Sequence, residues 1–468
     1  MLIAGRKEEL EILDEIMQKK TSQFVIVYGR RRVGKTYLIN EYFNNSFSFK
    51  TVGVRKKNKR DNTIRPFYES LIKYGKIRRE PKDWYEAFRL LEEILECDDV
   101  YREPITKKRV VFIDELPWFD SPKSSFREAF DYFWNMYGCT QKDLVLIVCG
   151  SATSWIVDNL LESKEGFHNR ATNRIYLKPL TLSETEELLF MNDIKWERNE
   201  IIDCYMTFGG IPYYLNLLSP RYSLIQNIEN LCFNDGGALK NELNELFSSL
   251  FTKYEEYLDV IKFLGKKRIG FTRDEIVKAL NYKSGGKITK ILDNLIKCSF
   301  IRRYKNVVKG GNDFYQIIDP FTIFALNYIN NDKISSWIKY YNTPGYYNYA
   351  GLAFEVLCLN NITAIKKALD IYGIESNEYS FKNDECQIDL LIDRKDNVIN
   401  LCEIKYSINE YVIDKEYHEN LNKKIESFRR TTKTKKSIIL TMITTSGIKK
   451  NMYSNVILKE INAKSLFF

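Results

Sequence analysis

The amino-acid sequence predicts an α/β fold class divided among several domains, and three observations lead to this prediction. The chain has 468 residues, the length of about three or four typical domains. From residue 1 to about 180, short runs rich in Val, Ile and Phe alternate with helix-like stretches, as in a parallel sheet covered by helices. The pattern then changes, and we divide the chain into segments 1–180, 181–235, 236–332 and 333–468.

The predicted elements follow in chain order. Gln23–Tyr28, Arg109–Asp114 and Leu144–Cys149 are predicted as buried strands, and the insert 55–105 as helical because WYEAFRLLEEILE has apolar residues at helical spacing. Segment 181–235 is helical around FGGIPYYL. Segment 236–332 predicts helix, turn, helix and hairpin, the outline of a winged helix-turn-helix. The last segment has a mixed α/β pattern.

A glycine-rich loop follows the first predicted strand. Its sequence GRRRVGKT matches G-x-x-x-x-G-K-S/T and lies between a strand and a helix-like stretch. In such loops the backbone amides wrap phosphates at a helix N-terminus, the lysine reaches the β- and γ-phosphates, and the hydroxyl binds Mg²⁺. The sequence therefore predicts an ATP site with these loop residues: Gly29, Arg30, Arg31, Arg32, Val33, Gly34, Lys35 and Thr36.

Polar residues follow the next two predicted strands. Asp114 and Glu115 end RVVFIDEL; Asp114 is expected to hold Mg²⁺, and Glu115 to orient and polarise the attacking water. Ser151 follows the third strand and either contacts the γ-phosphate or caps the next helix. Arg170 and Arg174 are two candidates for an arginine finger that stabilises transition-state charge, the alternative being two surface arginines.

Six motifs occur along the first half of the chain, in the order LIAGRKEELEIL, GRRRVGKT, VVFIDELPW, CGSATSW, HNRATNRIYLKPLTLSE and GGIPYYL. Together they resemble the archaeal-type AAA+ ATPases, which are close to the STAND group. The resemblance covers roughly residues 1–235 and implies a P-loop AAA+ parallel sheet followed by a small helical lid. Trp84 in PKDWYEAF also matches a tryptophan-containing segment of that family.

Segment 236–332 resembles the winged helix that follows the ATPase in these proteins. Recognition helices place basic residues on phosphates and base edges. Winged helices also serve as spacers between proteins, and lysines often form a solvated face, so both interpretations stay open. The basic residues of the second predicted helix and of CSFIRRYK are Lys287, Lys290, Lys297, Arg302, Arg303 and Lys305.

Two acids and a lysine lie on consecutive predicted strands of the last segment. The turn RKDN would bring Asp389 close to Glu403, and Lys405 shares a face with Glu403 because it lies two residues further on. Two carboxylates bind a hard cation such as Mg²⁺, and the lysine would orient water and offset charge on a scissile phosphate. Glu355 lies on an apolar helix, where an acid needs a partner, and is predicted to join the site.

The order Glu355, Asp389, Glu403 and Lys405 resembles the PD-(D/E)XK nucleases. This resemblance implies a restriction-endonuclease-like domain in which the three acids bind Mg²⁺ while Glu403 and Lys405 act in catalysis. Isoleucine rather than proline precedes Asp389, at a position that varies in that family. Two alternatives stay open: a hairpin with ordinary exposed charges, and a degenerate fold that binds DNA without cutting it. The basic stretch NKKIESFRRTTKTKK would track a phosphate backbone or solubilise a helix face.

Composition narrows the classes of function. Hydrophobic residues make up 44% and charged residues 28%, as in soluble globular proteins, and the net charge of +9 permits an acidic partner. We find no signal peptide and no run of about 18 apolar residues, and expect a cytoplasmic protein without a membrane span. The nine cysteines are expected to be reduced and buried. Two histidines are too few for a Cys/His zinc site or a Ser-His hydrolase.

Three functional hypotheses follow. The first is an ATPase, with ATP and Mg²⁺ as cofactors, coupled to a Mg²⁺-dependent DNA nuclease or a DNA-binding domain. The second is a STAND-like signalling switch in which ATP controls oligomerisation and the last domain is a non-cleaving binding module. The third is a transcription-type regulator that uses the winged helix. DNA is the expected macromolecular partner, and assembly into a homo-oligomer stays open.

Overall fold

The structure is a computed structural model that describes residues 3–55, 63–121, 124–151, 153–161, 170–282, 285–305, 313–331 and 333–468. The chain divides into two compact units, Met1–Pro179 and Leu180–Phe468. The hairpin turn predicted within NVVKGGND falls on residues 306–312, which lie outside the described residues.

The first unit alternates strands and helices. Its elements are α1 (Lys7–Gln18), β1 (Gln23–Tyr28), α2 (Lys35–Tyr42), β2 (Phe49–Val52), α3 (Arg65–Gly75), α4 (Trp84–Leu95), β3 (Arg109–Asp114), α5 (Phe126–Met136), β4 (Leu144–Gly150), α6 (Thr153–Ile156) and β5 (Asn173–Tyr176).

The strands of the first unit form one parallel sheet in the order β2-β3-β4-β1-β5. β3 and β4 are buried along their whole length, and β1 along all but its last residue, as their apolar runs predict. β2 was not predicted, because it has only four residues, half of them polar. β5 also has only four residues. Carboxyl ends of parallel strands meet at one edge, so the loops after β1, β3 and β4 converge there.

The insert after β2 contains the helices α3 and α4, in agreement with the periodicity. The side chain of Asp83 accepts a hydrogen bond from the backbone N–H of Glu86 and so caps α4. Trp84 is 2% exposed, and its ring centre lies 5.5 Å from that of Phe67 and 4.7 Å from that of Phe126. This tryptophan therefore belongs to the aromatic core of the first unit.

The second unit begins with helices and ends with a sheet. Its elements are α7 (Leu182–Met191), α8 (Arg198–Phe208), α9 (Pro212–Leu215), α10 (Leu224–Ile228), α11 (Glu242–Leu250), α12 (Tyr254–Leu264), β6 (Phe271–Thr272), α13 (Arg273–Ala279), α14 (Gly285–Lys297), β7 (Ile301–Lys305), β8 (Asp313–Ile317), α15 (Pro320–Phe324), α16 (Trp337–Tyr340), α17 (Pro344–Asn360), α18 (Ile362–Ala368), β9 (Ser376–Lys382), β10 (Gln387–Arg394), β11 (Val398–Lys405), β12 (Tyr411–Val412), α19 (Lys415–Thr432), β13 (Ser437–Thr444), β14 (Ile448–Lys449) and β15 (Lys459–Asn462).

A small three-stranded sheet lies in the middle of the second unit. It is antiparallel, with the spatial order β6-β8-β7. In the chain, α13 and α14 lie between β6 and β7. The face of α14 formed by Ile288, Ile291 and Leu295 is buried. This face lies at helical spacing, which is why the sequence predicts the helix. We call the segment from α12 to β8 the helix–sheet module.

The last part of the chain forms a five-stranded mixed sheet in the order β15-β13-β11-β10-β9. The neighbours β9, β10 and β11 are antiparallel, whereas β11, β13 and β15 run parallel. Leu421 and Phe428 of α19 pack against the apolar side chains of this sheet, and α17 contacts β11. The hairpin of β10 and β11 places Asp389 and Glu403 in this sheet.

Two further expectations concern cysteines and membranes. All nine cysteines lie in described segments and form no disulfide bond, but Cys97 and Cys139 are exposed, which corrects the expectation that all are buried. Their thiols instead donate to backbone carbonyls four residues earlier. No helix in the described part of the chain combines the length and apolarity that crossing a bilayer requires.

Candidate functional site

The glycine-rich loop leaves β1 at Gly29 and ends at the start of α2. Gly29 has a φ of 147°, and a Cβ there would lie 2.3 Å from the carbonyl oxygen of Leu177, so only glycine fits. Gly34 precedes α2 with a left-handed φ of 92°. The Nζ of Lys35 donates to the carbonyl oxygens of Gly29 at 2.9 Å and Arg30 at 2.8 Å. The amine thus lies within the curve of the loop.

The remaining loop residues complete this turn. Arg31 is half-buried, Arg32 has a left-handed φ of 74°, and Val33 is buried. A guanidinium N–H of Arg6 donates to the carbonyl oxygen of Val33 at 3.2 Å. Arg6 supports the loop, and the sequence analysis did not single it out, although it belongs to the LIAGRKEELEIL motif.

Thr36 and Asp114 meet at the carboxyl edge of the sheet. The Oγ1 of Thr36 donates to the Oδ2 of Asp114 at 2.7 Å. The other carboxylate oxygen of Asp114 accepts from the backbone N–H of Glu115 and from the thiol of Cys149, each at 2.9 Å. Burial, together with the charge of Asp114, raises the pKa of the Cys149 thiol well above its usual value. This thiol therefore stays protonated and donates to the acid.

Glu115 lies next to residues that follow β2, β3 and β4 in the chain. Its Oε2 accepts from the hydroxyl of Ser151 at 2.8 Å and from the indole N–H of Trp118 at 3.1 Å. Its backbone has a left-handed φ of 49°, and a Cβ on Gly53 would lie 2.3 Å from its carbonyl oxygen. Ser151 is thus a partner of the predicted water-orienting acid, a contact that neither interpretation of the sequence included.

The two candidate finger arginines lie on or before β5. Thr172 donates its backbone N–H to the carbonyl oxygen of Phe24 near the start of β1, so Arg170 lies at the opposite edge of the sheet from the loop. Arg174 is exposed, and its charge lowers the pKa of Tyr28, although burial raises that pKa overall. The backbone of Arg170 therefore lies at the end of β1 that is away from the loop.

The donors at this edge fit a nucleotide with a bound magnesium ion. Hydroxyl and carboxylate oxygens are the ligands that Mg²⁺ prefers, and Thr36 and Asp114 present both types in direct contact. The loop amides precede a helix of eight residues, an arrangement suited to phosphates.

The C-terminal acids lie at a second place. Glu355 on α17 is 2% exposed, and its Oε2 forms an ion pair with the Nε of Arg268. A second nitrogen of this guanidinium lies 3.9 Å from the Oδ2 of Asp389. Burial raises the pKa of Glu355 to about 7, with a further contribution from the charge of Asp389, and Arg268 opposes both. The arginine comes from the helix–sheet module, just after α12.

Glu403 on β11 is completely buried and has three polar neighbours. Lys424 of α19 forms an ion pair with its Oε1. The hydroxyl of Tyr417 donates to its Oε2 at 3.1 Å, and the Nζ of Lys405 lies 3.8 Å from the same oxygen. Tyr417 and Lys424 lie seven residues apart, on one face of α19.

The strand register brings the two predicted strand acids next to each other. Leu390 of β10 pairs with Cys402 of β11 in the antiparallel ladder. Asp389 and Glu403 therefore occupy the adjoining positions of the two strands. The sequence prediction that the turn between these strands would bring the two acids together agrees with this register.

A β-bulge shapes the strand at Asp389. The register between β10 and β9 shifts between Ile388 and Leu391, and the hydroxyl of Ser380 donates to the carbonyl oxygen of Asp389 at 2.7 Å. The side-chain amide of Gln387 donates to the Oδ1 of Asp389 at 3.0 Å. Bulges redirect side chains and often occur next to functional sites.

These carboxylates do not fit a metal ion in the observed arrangement. Among the described residues, no group of three or more His, Cys, Asp or Glu is arranged to hold one. Arg268 and Lys424 form ion pairs with Glu355 and Glu403, where the sequence analysis expected Mg²⁺. The proposed metal ligands Glu355, Asp389 and Glu403 are neutralised here by cations of the chain itself.

The basic side chains of the helix–sheet module divide into two groups. Arg302 donates to the Oε1 of Gln316 at 2.7 Å and to the hydroxyl of Ser380 at 3.2 Å, and Arg303 forms an ion pair with Asp313. These contacts orient both arginines within the chain. Of the lysines that the sequence analysis named in this module, Lys297 is half-buried, whereas Lys287, Lys290 and Lys305 are exposed, although Lys287 also pairs with Glu256.

The C-terminal site therefore contains residues that sequence reasoning missed. Arg268, Tyr417 and Lys424 contact the acids but belong to no short motif with them. Lys424 falls in the basic stretch noted in the sequence, and Tyr417 lies about two helical turns before it. Arg268 in GKKRIG carries no signal of its own, because its partner lies 87 positions away in the chain.

One protein family and several known proteins match parts of this chain. Residues 3–218 match a family described as an ATPase domain predominantly from Archaea. Over 379 residues the chain is 27% identical to the uncharacterized protein MJECL04 of Methanocaldococcus jannaschii, and the match covers 78% of each chain. A stretch of 45 residues is 44% identical to the uncharacterized ATP-binding protein MJ0423 of that organism, covering 10% of this chain and 76% of the relative.

Solved structures with a detectable likeness include two archaeal proteins. The Walker-type ATPase PABY2304 of Pyrococcus abyssi gives a TM-score of 0.45 at 20% identity, covering 69% of this chain and 96% of that chain. The ORC2 protein of Aeropyrum pernix, in ADPNP–ADP complexes, gives a TM-score of 0.41 at 11% identity, covering 76% and 94%. The family match, the glycine-rich loop and its contacts lead to one conclusion. Residues 3–218 of this chain are similar to the ATPase domain found predominantly in Archaea, and the loop from Gly29 to Thr36 has the sequence and contacts of a P-loop ATPase.

Proposed function

We propose that the protein couples ATP binding and hydrolysis in its first unit to action on DNA by its C-terminal sheet. In this proposal the first unit is an AAA+ core, α7 to α10 form its lid, the helix–sheet module is a winged helix, and the last domain is of the PD-(D/E)XK type. One observation supports the DNA part most strongly. A helix and two adjacent strands bring Glu355, Asp389 and Glu403 to neighbouring places, with Lys405 beside Glu403.

The proposed ATPase chemistry uses the contacts at the sheet edge. Lys35 and the loop amides bind the phosphates, and Thr36 and Asp114 hold Mg²⁺, which would offset phosphate charge. Glu115 orients the attacking water, and Ser151 positions Glu115 through its hydroxyl. Because Arg170 lies at the far edge of the sheet, we propose that an arginine finger from that position would act on a neighbouring copy of the chain.

The proposed DNA chemistry depends on the C-terminal acids. Two acids and a lysine at neighbouring positions of two strands match the residue set that metal-dependent nucleases use. The exposed lysines of the helix–sheet module and the basic end of α19 add favourable charge for a phosphate backbone. A nuclease function requires the acids to release Arg268 and Lys424, and a DNA-binding function does not.

A cleavage assay tests this proposal. The full chain is incubated with plasmid and linear DNA, Mg²⁺ or Mn²⁺, with and without ATP. We expect cleavage by the wild type and by the exposed control variant Glu416→Gln, and loss of cleavage with Glu403→Gln while ATP hydrolysis continues. Lys35→Ala removes the lysine that is proposed to bind the ATP phosphates, so its cleavage rate shows how far cleavage depends on ATP. Equal cleavage by Glu403→Gln and wild type would remove the assignment.

A STAND-like switch is the second candidate, and the ion pairs at the acids favour it. Glu355 and Glu403 are already neutralised by Arg268 and Lys424, which suits a binding module that does not cut. This alternative predicts that ATP changes the oligomeric state and that no DNA is cleaved. Light scattering across apo, ADP and ATP conditions tests it, and a monomer throughout would argue strongly against a switch.

A further inference from the structure

We propose that Arg268 is a displaceable internal cation that closes the C-terminal carboxylate site, and that a divalent metal ion competes with it for Glu355 and Asp389. The inference rests on the proposed function of that site. Glu355 and Asp389, which the sequence predicts as metal ligands, instead lie beside the guanidinium of Arg268 from the helix–sheet module. The ligand class is a hard divalent cation that takes carboxylate oxygens.

The charges of the site require a cation. Glu355 is 2% exposed, one guanidinium lies near both Glu355 and Asp389, and two such carboxylates are costly to bury without a partner. Arg268 supplies that partner by reaching both acids. One divalent ion could compensate both carboxylates in its place, so the two cations exclude each other by charge and by space.

The arginine is placed so that it can leave. Its side chain is 42% exposed, whereas that of Glu355 is 2% exposed. The guanidinium therefore has a route to solvent that does not require opening the packed helix around the acid. A fully buried arginine in an apolar core would have no such route, because it would need a new partner for its charge.

The backbone of Arg268 belongs to the helix–sheet module. Its carbonyl oxygen accepts from the side-chain amide of Gln316 at 2.9 Å. Gly270 has a φ of 80°, and a Cβ there would lie 2.0 Å from the carbonyl oxygen of Tyr315, so the turn is held against β8. The side chain thus crosses from this module to the acids on α17 and β10. A shift of the module would withdraw the guanidinium.

A second arginine links the same parts. Arg302 donates to the other side of Gln316 at 2.7 Å and to the hydroxyl of Ser380 at 3.2 Å. That hydroxyl in turn donates to the carbonyl oxygen of Asp389 at 2.7 Å. One glutamine therefore contacts both the backbone of Arg268 and the side chain of Arg302. The module would move both arginines together relative to the bulge at Asp389.

Binding of Mn²⁺ alone to the full chain, without nucleotide, tests the inference. Titration calorimetry compares wild type with Arg268→Gln, Arg268→Lys and the exposed control Arg303→Gln, which carries the same change on β7. We expect Arg268→Gln to bind Mn²⁺ at least about tenfold more tightly than wild type. Arg268→Lys should restore weak binding because it keeps the competing charge, and Arg303→Gln should match wild type.

A double variant and a stability measurement complete the test. The double variant Arg268→Gln with Glu355→Gln should lose the gain in Mn²⁺ affinity, because it lacks the Glu355 carboxylate that would bind the ion. If Arg268→Gln is less stable than wild type, Mn²⁺ should raise its melting temperature more than that of wild type. Equal Mn²⁺ affinity of wild type and Arg268→Gln, or no Mn²⁺ binding by either, would overturn the inference.

The outcomes separate this inference from the proposed function. Cleavage that is lost with Glu403→Gln supports the nuclease whether or not Arg268 affects metal affinity. A gain of Mn²⁺ affinity in Arg268→Gln with no DNA cleavage or binding by any variant would support the competition and reject the DNA function. The inference therefore stands or falls on metal affinity alone.

Discussion

At the residue scale, single contacts decide what each predicted group can do. Asp114 faces Thr36 with one oxygen, and Glu115 points its carboxylate to Ser151 and Trp118. The two adjacent acids thus have different neighbours, which agrees with the different roles we propose for them. The contact between Ser151 and Glu115 suggests that a bound γ-phosphate would compete for the same hydroxyl.

The variant Glu115→Gln should bind ATP but hydrolyse it poorly. The amide keeps the size of the side chain and removes its negative charge, so we expect turnover to fall about 10²–10⁴-fold. Phosphate release and nucleotide binding measure the two effects. Glu128→Gln, an exposed change on α5, is the matched control. Unchanged turnover, or loss of ATP binding, would contradict the role.

Stability should fall with rising pH because of Asp203. Burial raises the pKa of its carboxyl to about 7, and the hydroxyl of Tyr406 lies 3.3 Å from its Oδ1. The folded state therefore holds the proton more tightly than the unfolded state, whose pKa is about 3.9. The stabilisation is complete below about pH 4 and is lost as pH rises to about 7, by roughly 4 kcal/mol at most.

Denaturation midpoints of wild type and Asp203→Asn between pH 4.5 and pH 8 check this prediction. The groups around Asp203 that contribute to its titration include Glu200 and the hydroxyls of Tyr341, Tyr346 and Tyr406. Asp203→Asn should flatten the pH dependence and should be the more stable protein at pH 8. Asp384→Asn, at an exposed position, should behave as wild type. An unchanged slope in Asp203→Asn would assign the effect to another group.

At the scale of elements, strand ends and turns set the sites more than the strands do. β2 is short and has half its residues polar, but its end holds the backbone of Glu115 through Gly53. The bulge of β10 likewise changes the register at Asp389. The left-handed φ of Glu115 costs free energy that its surroundings must offset.

Gly53→Ala should lower ATP turnover without unfolding the protein. The added methyl group would lie 2.3 Å from the carbonyl oxygen of Glu115, so that residue must shift. A displacement of this size lowers rates up to about 10²-fold, and overpacking costs about 1–3 kcal/mol of stability. Turnover and thermal unfolding are measured together. Gly351→Ala on α17, where a Cβ meets nothing within 4 Å, should leave turnover unchanged.

At the scale of the whole molecule, charge is the property that concerns a large partner. The chain has a net charge of +9. The last turns of α19 and the residues after it expose basic side chains, whereas Lys424 and Lys436 pair with acids of their own domain. The exposed group that could meet a phosphate backbone is Lys423, Arg429, Lys433 and Lys435.

DNA affinity should fall when this exposed group is reversed in charge. For Lys433→Glu with Lys435→Glu we expect weaker binding and a less steep dependence on salt, because each lost phosphate contact removes about 0.9 from the log–log slope. Fluorescence anisotropy at several salt concentrations measures both. Lys142→Glu with Lys195→Glu changes the net charge equally at other exposed places. An equal loss in both double variants would mean that only net charge matters.

The local pattern was sufficient to predict several parts of the molecule. β1, β3 and β4 follow from buried apolar runs, and the loop from Gly29 to Thr36 follows from its glycines, lysine and position after a strand. These predictions hold because they depend on neighbours within a few residues. The hairpin of β10 and β11 was predictable for the same reason, since one turn sets its register.

The sequence by itself determined the ATPase domain, because the identity and spacing of adjacent residues are enough to form its phosphate-binding loop. Only the tertiary structure decided what surrounds the acids. The ion pair of Arg268 with Glu355 joins residues 87 positions apart, and the contact of Ser151 with Glu115 joins the ends of separate strands. Such contacts depend on how elements pack, and an isolated arginine or serine in a sequence carries no record of its partner.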